Sequence, residues 1–593
     1  MPPLSSMRLL ATRAAFVAVF VASLATAIPH GDDEEMSMDM HSAAAATPSP
    51  TAHANSEGPM SYFAYGKHSG AIMAHITLMM LGWCLVLPAA VMLSIARSRL
   101  ALPSQFVFLL FNAFGLLLGI IYNSQTPDLY ENNAHHKIGW IATWVVSAQV
   151  ILALIFAYAG RGELDSSSNS NSVSYEHASF LPVATDEREQ RTFPTGPMHG
   201  YRWSRDSGQG TEPNSPNRSP GSPSFDSPSE CDGFEKPDEG LPVPSAEPRG
   251  YFHSTFVDRF LSNRVPGMVS NRVLRIFNGV YNVIDRIILP FGFAAIATGA
   301  VTYGGIMRGN EIFNGLAHFI KGGIFFWYGV LTLGRYVGCW ADLGWAWNKK
   351  PPASVVGWKA KVPSGEFTES FVIWLYGVTN VFLEHLSSPA GEWSATDLEH
   401  VSISIMFFGG GLVGMLFESS RIRDALNDAI LRSPAQSTRD ENWRAPKSQG
   451  VPLNPMPALI ILLLGMMMGS HHQTSMTSTM VHKQWGNMLV GFALARAMTY
   501  VLLFLRPPPS YLPSRPPTEA VAAFCLMAGG LIFMLSTRNV IDAMEYYEVD
   551  AMFTFTVGLG FTAFIMAMEI LFIALKAWAV KREQRPQLSF RFP

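Results

Sequence analysis

The feature that most constrains this chain is a succession of long apolar runs, each bounded by polar or charged residues. An apolar run of about 20 residues is long enough to cross the hydrocarbon core of a bilayer as a single helix. The runs form a first block of three, near residues 70–96, 104–122 and 138–160, and a second block of eight. The second block has runs near 284–306, 314–338, 369–387, 400–416, 456–470, 485–505, 518–536 and 553–579. The sequence therefore predicts an all-α, polytopic membrane protein with about eleven transmembrane helices.

Composition agrees with this fold class and narrows the choice of partners. Of the 593 residues, 48% are hydrophobic and only 15% are charged, which is unusual for a soluble protein. The formal net charge is −3, and the basic residues form no clustered face, so a nucleic-acid partner is not expected. The expected partner is the lipid bilayer.

The polar segments divide the chain. Arg8 and Arg13 precede a short apolar core and the small residues Ala25 to Ala27, a pattern typical of a cleaved signal peptide, with a membrane anchor as the alternative. A segment rich in Ser, Pro, Asp and Glu is predicted to be a disordered linker whose Ser-Pro sites are open to cytosolic kinases. The predicted divisions are 1–27 signal peptide, 28–68 polar lumenal segment, 69–160 first block, 161–270 linker, 271–580 second block and 581–593 basic tail.

The charges of the loops predict an orientation. Lysines and arginines collect in the loops that would share one side of the membrane with the linker and the C-terminal tail, and acidic residues collect in the opposite loops. Cytosolic loops of membrane proteins are enriched in basic residues. The mature N-terminus is therefore expected in the lumen or outside the cell and the C-terminus in the cytosol, with the protein in the endomembrane system or the plasma membrane.

On this topology, ten of the sixteen histidines fall at lumenal helix ends or in lumenal loops. A single histidine near a membrane interface is ordinary, but their collection on one side favours metal, haem or proton chemistry there. They are His68, His75, His135, His136, His318, His385, His400, His471, His472 and His482.

Two histidines of the first block have a distinctive setting. His75 is followed by Trp83 and Pro88, and His135 is followed by Gly139, a small residue one helical turn further on. These spacings resemble two core helices of the ascorbate-reducible transmembrane cytochrome b family. The resemblance implies that His75 and His135, with His136 as a substitute, are axial ligands of one b-type haem. Another metal, or hydrogen bonding alone, is the alternative.

The same resemblance limits the number of haem groups. That cytochrome family holds a second haem near the opposite face, with histidines on its other two core helices. Here the corresponding runs, QFVFLLFNAFGLLLGIIYN and YNVIDRIILPFGFAAIATG, contain no histidine. At most one haem is therefore expected.

The second block offers a different set of candidate ligands, and imidazoles with a carboxylate are typical of zinc or copper sites. The set is His318, His385, His400, His471, His472, His482 and Glu399. One alternative function is a zinc-dependent membrane hydrolase, with His400, His471 and His482 as ligands and Glu384 or Glu399 as the base. Another is copper handling, because Met36, Met38 and Met40 precede His41 in the polar segment.

Taken as a whole, the chain resembles the fungal Ytp-type family of multi-spanning membrane proteins. The resemblance depends on HSGAIMAH, NNAHHKIGW, VYNVIDRIILPFGF, AHFIKGG, GRYVGCWADLGWAW and SHHQTSMTSTMVHKQWGN, and it covers roughly 60–160 and 270–580. It implies an electron-transport-like N-terminal region and leaves the reaction open. We therefore expect an integral membrane protein with a haem-linked or metal-linked redox role, and a redox or metal partner, on its lumenal face.

Overall fold

The computed structural model describes residues 61–159, 271–309, 311–385, 395–431, 446–470, 473 and 475–583. Several predicted features lie outside these residues: the signal peptide, most of the polar segment with its methionines, the linker, and most of the basic tail. His471 and His472 also lie outside them, as do the side chains of Glu384 and His385.

Thirteen helices of the described residues are labelled here in chain order. They are α1 (Ser69–Ile95), α2 (Ala101–Gln125), α3 (Ala134–Ala159), α4 (Asn271–Gly304), α5 (Glu311–Val337), α6 (Gly365–His385), α7 (Ala395–Glu418), α8 (Ser420–Leu431), α9 (Met456–Ser470), α10 (Met476–Leu505), α11 (Pro517–Leu535), α12 (Arg538–Tyr546) and α13 (Ala551–Glu583). By length and composition, nine can cross a membrane: α1 to α5, α7, α10, α11 and α13.

The other two predicted spans are also helical. α9 is a shorter apolar helix of 15 residues, and α6 carries Glu366, Glu369 and Glu384 among its apolar side chains. Within the described residues, each of the eleven predicted runs is therefore occupied by a helix, and no strand is present. The prediction of an all-α, polytopic membrane protein is confirmed.

The helices around His75 and His135 form a four-helix bundle. α4 follows the linker in sequence, but it packs with α1, α2 and α3 rather than standing apart from them. The bundle interior is built from side chains of all four helices, including Trp83, Phe108, Val146 and Ile288. The histidines of α1 and α3 are therefore enclosed by helices from both sides of the linker.

α1 contains one wider turn, a π-helical segment at Gly82–Val86. Pro88 has no backbone N–H to donate, so the regular ladder of hydrogen bonds is interrupted here. The Trp83 indole within this turn packs edge-on against Phe108 and faces Gly292 of α4. A Cβ atom at position 292 would lie 2.6 Å from the indole, so this approach requires glycine.

The remaining helices form a second, more closely packed block. Its core contains Trp485, Leu489, Phe492 and Leu526, all with 0% exposure. Backbones approach one another directly: a Cβ atom on Gly322 of α5 would lie 2.6 Å from the Gly530 carbonyl oxygen of α11. Small residues allow such close helix contacts in membrane proteins.

Loop contacts define two ends of the molecule. At one end, the Tyr130 hydroxyl donates to the main-chain carbonyls of Ile306 and Met307, and the Met307 N–H donates to Asn539. At the other, the Ser98 hydroxyl donates to Glu583, and the Lys349 N–H donates to the Ser510 carbonyl. All histidines of the described residues lie at the first end, which we call the histidine end: His68, His75, His135, His136, His318, His385, His400 and His482.

Candidate functional site

Two imidazoles meet inside the four-helix bundle at the histidine end. The ring centroids of His75 on α1 and His135 on α3 are 6.3 Å apart, and the ring planes are 81° apart. Both residues are half-buried. The bundle therefore brings these two sequence-predicted residues into one place, whereas the adjacent His136 is exposed.

Neighbouring helices fix the orientation of both rings. The Nδ1 atom of His75 lies 2.7 Å from the Gly115 carbonyl oxygen of α2, and Nδ1 of His135 lies 3.0 Å from the Ala295 carbonyl oxygen of α4. A carbonyl oxygen can only accept, so Nδ1 carries the proton in each ring and the lone pair is on Nε2. This arrangement is typical of metal-binding histidines, whose second nitrogen donates to a carbonyl or carboxylate.

Glycines shape the space around the two rings. A Cβ atom on Gly119 would lie 2.9 Å from the His75 ring, and one on Gly299 would lie 3.0 Å from the His135 ring. Each glycine is one turn beyond the residue whose carbonyl holds the same ring, so α2 and α4 support the two histidines in the same way. On α3, Gly139 lies one turn below His135 on the same face, and a Cβ atom there would meet nothing within 4 Å.

The ring separation can be compared with known coordination geometry. Two imidazoles that bind one metal ion from opposite sides, with metal–nitrogen distances of about 2 Å, have ring centres about 6 Å apart. In a tetrahedral arrangement the same two rings would be about 5 Å apart. The 6.3 Å between His75 and His135 matches the first arrangement, so the two rings could hold a metal ion, including a haem iron, between them.

A second polar layer lies below the histidine pair. The Trp83 indole N–H donates to Asn112 over 3.1 Å, and the Asn112 amide donates to the Thr143 hydroxyl over 3.1 Å. The Thr143 hydroxyl in turn donates to the Gly139 carbonyl. The chain of hydrogen bonds joins α1, α2 and α3 about two helical turns below His75 and His135.

A third polar layer, towards the opposite end of the bundle, surrounds the buried carboxylate of Asp285. The Ser94 hydroxyl donates to one carboxylate oxygen over 2.6 Å, and the Gln149 amide donates to the other over 2.5 Å. Tyr281 contacts the Ser94 hydroxyl and accepts a hydrogen bond from Gln105. We call these five residues the Asp285 layer. Sequence analysis did not select it, although an aspartate inside an apolar run was an available signal.

A second pair of histidines comes together in the closely packed block. The ring centroids of His318 on α5 and His482 on α10 are 6.2 Å apart, and the planes are perpendicular. The Nδ1 atoms lie 2.8 Å from carbonyl oxygens of their own helices, at Asn314 and Ser478. Both residues belong to the predicted metal set, and the structure pairs them with each other.

In the part of the chain that the structure describes, the other members of the predicted metal set do not complete a site around this pair. His400 is close enough to His318 for their charges to interact, and Glu399 beside it is exposed. His385 lies at the end of α6 at the histidine end, and His471 and His472 fall outside the described residues. Across the described ranges, no group of three or more His, Cys, Asp or Glu side chains is arranged to hold a metal ion.

The closely packed block also contains a buried ionic chain that sequence analysis missed. Arg335 pairs with Glu366 at 2.7 Å and with Glu369 at 2.5 Å, while Arg496 pairs with Glu369 at 3.1 Å and with Glu519 at 2.7 Å. The signal was available, because each of these residues interrupts or adjoins an apolar run. The chain joins α5, α6, α10 and α11 at the end away from the histidines, and it has three acidic groups for two basic ones.

Comparison with known proteins assigns the chain to a family. A membrane protein of Schizosaccharomyces pombe, described as uncharacterized, is 32% identical over 539 residues, which is 89% of this chain and 99% of that protein. The profile described as "Protein YTP1-like, C-terminal" matches residues 291–577, and a domain of unknown function, DUF2427, matches 56–159. The chain belongs to the Ytp1-type family of membrane proteins. The Ytp-type resemblance of the sequence is thereby confirmed.

Two proteins of Saccharomyces cerevisiae are also similar. An uncharacterized membrane protein is 37% identical over 334 residues, 53% of this chain and 50% of that protein. The protein YTP1 is 24% identical over 273 residues, 46% of this chain and 49% of that protein. No solved structure matches the chain.

Proposed function

We propose that the four-helix bundle of this Ytp1-type protein binds one b-type haem between His75 and His135 and has a one-electron redox role at the histidine end. The observation that carries the proposal is the pair of imidazoles, 6.3 Å apart, with both Nδ1 atoms bound to main-chain carbonyls. His75 and His135 would hold the haem iron, and the bound haem would supply one-electron chemistry.

Each supporting residue has a defined part in this proposal. The Gly115 and Ala295 carbonyls hold His75 and His135 in the tautomer whose Nε2 lone pair can bind iron. Gly139 adds no side chain beside His135, and the hydrogen-bonded side chains of Trp83, Asn112 and Thr143 lie below it. These residues bind and orient the group, and the apolar bundle around them restricts water.

The proposal also assigns the histidine end to the lumenal or extracellular side. This assignment is supported by the distribution of charge. The segment between α5 and α6, at the end away from the histidines, contains four lysines: Lys349, Lys350, Lys359 and Lys361. Loops with such an excess of lysine usually face the cytosol. An electron partner would then approach the histidine end from the lumenal side.

The experiment is a reduced-minus-oxidised absorption spectrum with iron analysis of the purified protein and of three variants. We expect a b-type signal and about one iron per chain in the wild type. His75→Ala and His135→Ala should lose both, because each removes one of two axial ligands. His136→Ala is the matched control, since it removes a neighbouring exposed imidazole and should retain the signal.

Two results would contradict the proposal. A wild-type protein with a flat spectrum and no iron would show that the bundle holds no haem. Equal loss of signal in His136→Ala and His135→Ala would show that the ring paired with His75 is not the specific ligand.

A further inference from the structure

We propose that His318 and His482 bind a single Cu(I) ion as a two-coordinate site. This inference is independent of the haem proposal, because its residues belong to α5 and α10, outside the four-helix bundle. The first support is geometric: the ring centroids are 6.2 Å apart, the separation of two imidazoles that bind an ion from opposite sides at about 2 Å each. Imidazole is a suitable copper ligand, and Cu(I) accepts two ligands in a line.

The rings are held in place before any ion binds. Each Nδ1 donates to a main-chain carbonyl of its own helix at 2.8 Å, so the lone pair of each ring is on Nε2. Phe533 of α11 contacts the His318 ring, and Trp485, which stacks on Phe533 at 4.1 Å, contacts the His482 ring. Both imidazoles are therefore fixed by the same pair of aromatic side chains.

The surroundings exclude a large group such as a porphyrin. Gly322 and Gly486 lie one turn below His318 and His482, and each is covered by a neighbouring main chain. A Cβ atom would lie 2.6 Å from the Gly530 carbonyl oxygen at the first and 2.7 Å from the Gly465 carbonyl oxygen at the second. A bare ion needs no such space.

Charge favours a monovalent ion over a divalent one. The positive charge of Lys321 acts on the His318 ring. Repulsion from a nearby cation is twice as large for an ion of charge +2 as for one of charge +1. Zinc also prefers four ligands in a tetrahedron, a geometry that would bring the two rings about 5 Å apart.

The experiment measures Cu(I) affinity by competition with a chromophoric Cu(I) chelator under reducing conditions, for the purified full-length protein. Wild type should bind one Cu(I) ion tightly, in addition to any copper bound elsewhere on the chain. His318→Gln and His482→Gln should each weaken this affinity by at least about 10–100-fold, which is the loss expected when a residue that supports a metal ligand is removed. His136→Ala is the control and should retain the wild-type affinity, because it removes an exposed imidazole outside the pair. Elution volume and melting temperature of each variant confirm that it is folded.

X-ray absorption of the copper-loaded protein gives a second, direct readout. Wild type should show two nitrogen neighbours, and His482→Met, which replaces one imidazole by a thioether, should show one nitrogen and one sulfur. The proposal is overturned if wild type fails to compete with the chelator, or if His318→Gln binds as tightly as wild type. It is also overturned if Zn(II) binds this pair in preference to Cu(I), or if His482→Met leaves the copper spectrum unchanged.

Discussion

The two histidine pairs have nearly the same separation, 6.3 Å and 6.2 Å, but they are supported differently. In the four-helix bundle, each imidazole donates to a carbonyl of a neighbouring helix, and the space below His135 is open at Gly139. In the closely packed block, each imidazole donates to its own helix, and the space below both rings is filled by main chain.

Because the two pairs consist of the same residue type at the same distance, the ligand residues alone do not select the bound group. Two imidazoles at this distance suit several metals. The free volume next to the rings, and the charges near them, decide between a flat macrocycle and a single ion. The four-helix bundle leaves the position below His135 open at Gly139, whereas the closely packed block fills the positions below both of its rings with main chain.

The largest effect that separates the two regions is expected from Arg496→Met. Arg496 is fully buried and pairs with Glu369 and Glu519, so its removal leaves Glu519 without a cation and Glu369 with Arg335 alone. Breaking a buried ion pair from one side costs about 3–5 kcal/mol. We expect a large fall in the unfolding temperature of the closely packed block, with the spectrum of the bundle retained in the cold.

The matched control for this variant is Lys359→Met, which breaks a half-exposed ion pair with Asp342. Exposed pairs contribute about 0–1 kcal/mol, so its melting temperature should hardly change. Loss of the bundle spectrum in Arg496→Met at low temperature would contradict the separation of the two regions.

The next effect compares Gly322→Ala with Gly139→Ala, two glycines that each lie one turn below a histidine. The added methyl at position 322 meets the Gly530 carbonyl, and overpacking of this kind costs about 1–3 kcal/mol. At position 139 the methyl meets open space, and replacing a helical glycine by alanine stabilises by up to about 1 kcal/mol.

The two variants should therefore separate stability from cofactor binding. Under the haem proposal, Gly322→Ala should lower the melting temperature without changing the haem spectrum, whereas Gly139→Ala should keep or raise the melting temperature and reduce the amount of bound haem. A Gly139→Ala protein with full haem content would show that the open space is not used by the macrocycle.

The smallest effect is expected from Asp285→Asn, which removes one negative charge from the bundle and keeps its shape. Asp285 lies ten residues before Ala295 on α4, or about 15 Å along the helix axis. A unit charge at that distance changes a redox equilibrium by about 1 kcal/mol, or about 50 mV for one electron. Removing a negative charge disfavours the oxidised form, so the midpoint potential should rise.

Redox titration of wild type and of Asp285→Asn measures this shift in midpoint potential. The control is Asp542→Asn, which removes a carboxylate from α12 instead. An unchanged midpoint potential in Asp285→Asn would show that the carboxylate does not act on the centre. An equal rise in both variants would show that the effect is not specific to the Asp285 layer.

The helices were predictable because lipid imposes a simple rule on composition. A segment must be apolar over about 20 residues to cross the bilayer, and such runs are visible without knowledge of any contact. α6 shows the limit of that rule: Glu366 and Glu369 make it less apolar than the others, because they pair with Arg335 inside the protein.

The candidate site was predictable only in part. His75 and His135 stand out because each begins an apolar run and the surrounding spacing resembles a known haem-binding helix pair; that they bind haem stays a prediction. The contact between His318 and His482 has no comparable signal, because α5 and α10 are brought together by packing on α11. The supporting carbonyls of Gly115 and Ala295 are equally invisible, since every residue has a main-chain carbonyl.

The contact between α13 and α1 affects the order in which the protein can fold during its synthesis. Ala579 of α13 packs on Leu93 of α1 and on Ala96 directly after it, and Glu583 contacts Ser98 and Arg99. Chains generally fold from the N-terminus as they emerge from the ribosome. Here α1 must wait for nearly the whole protein to be translated before its last neighbour arrives, so in a truncated product lipid covers the face of α1 that α13 occupies in the folded protein.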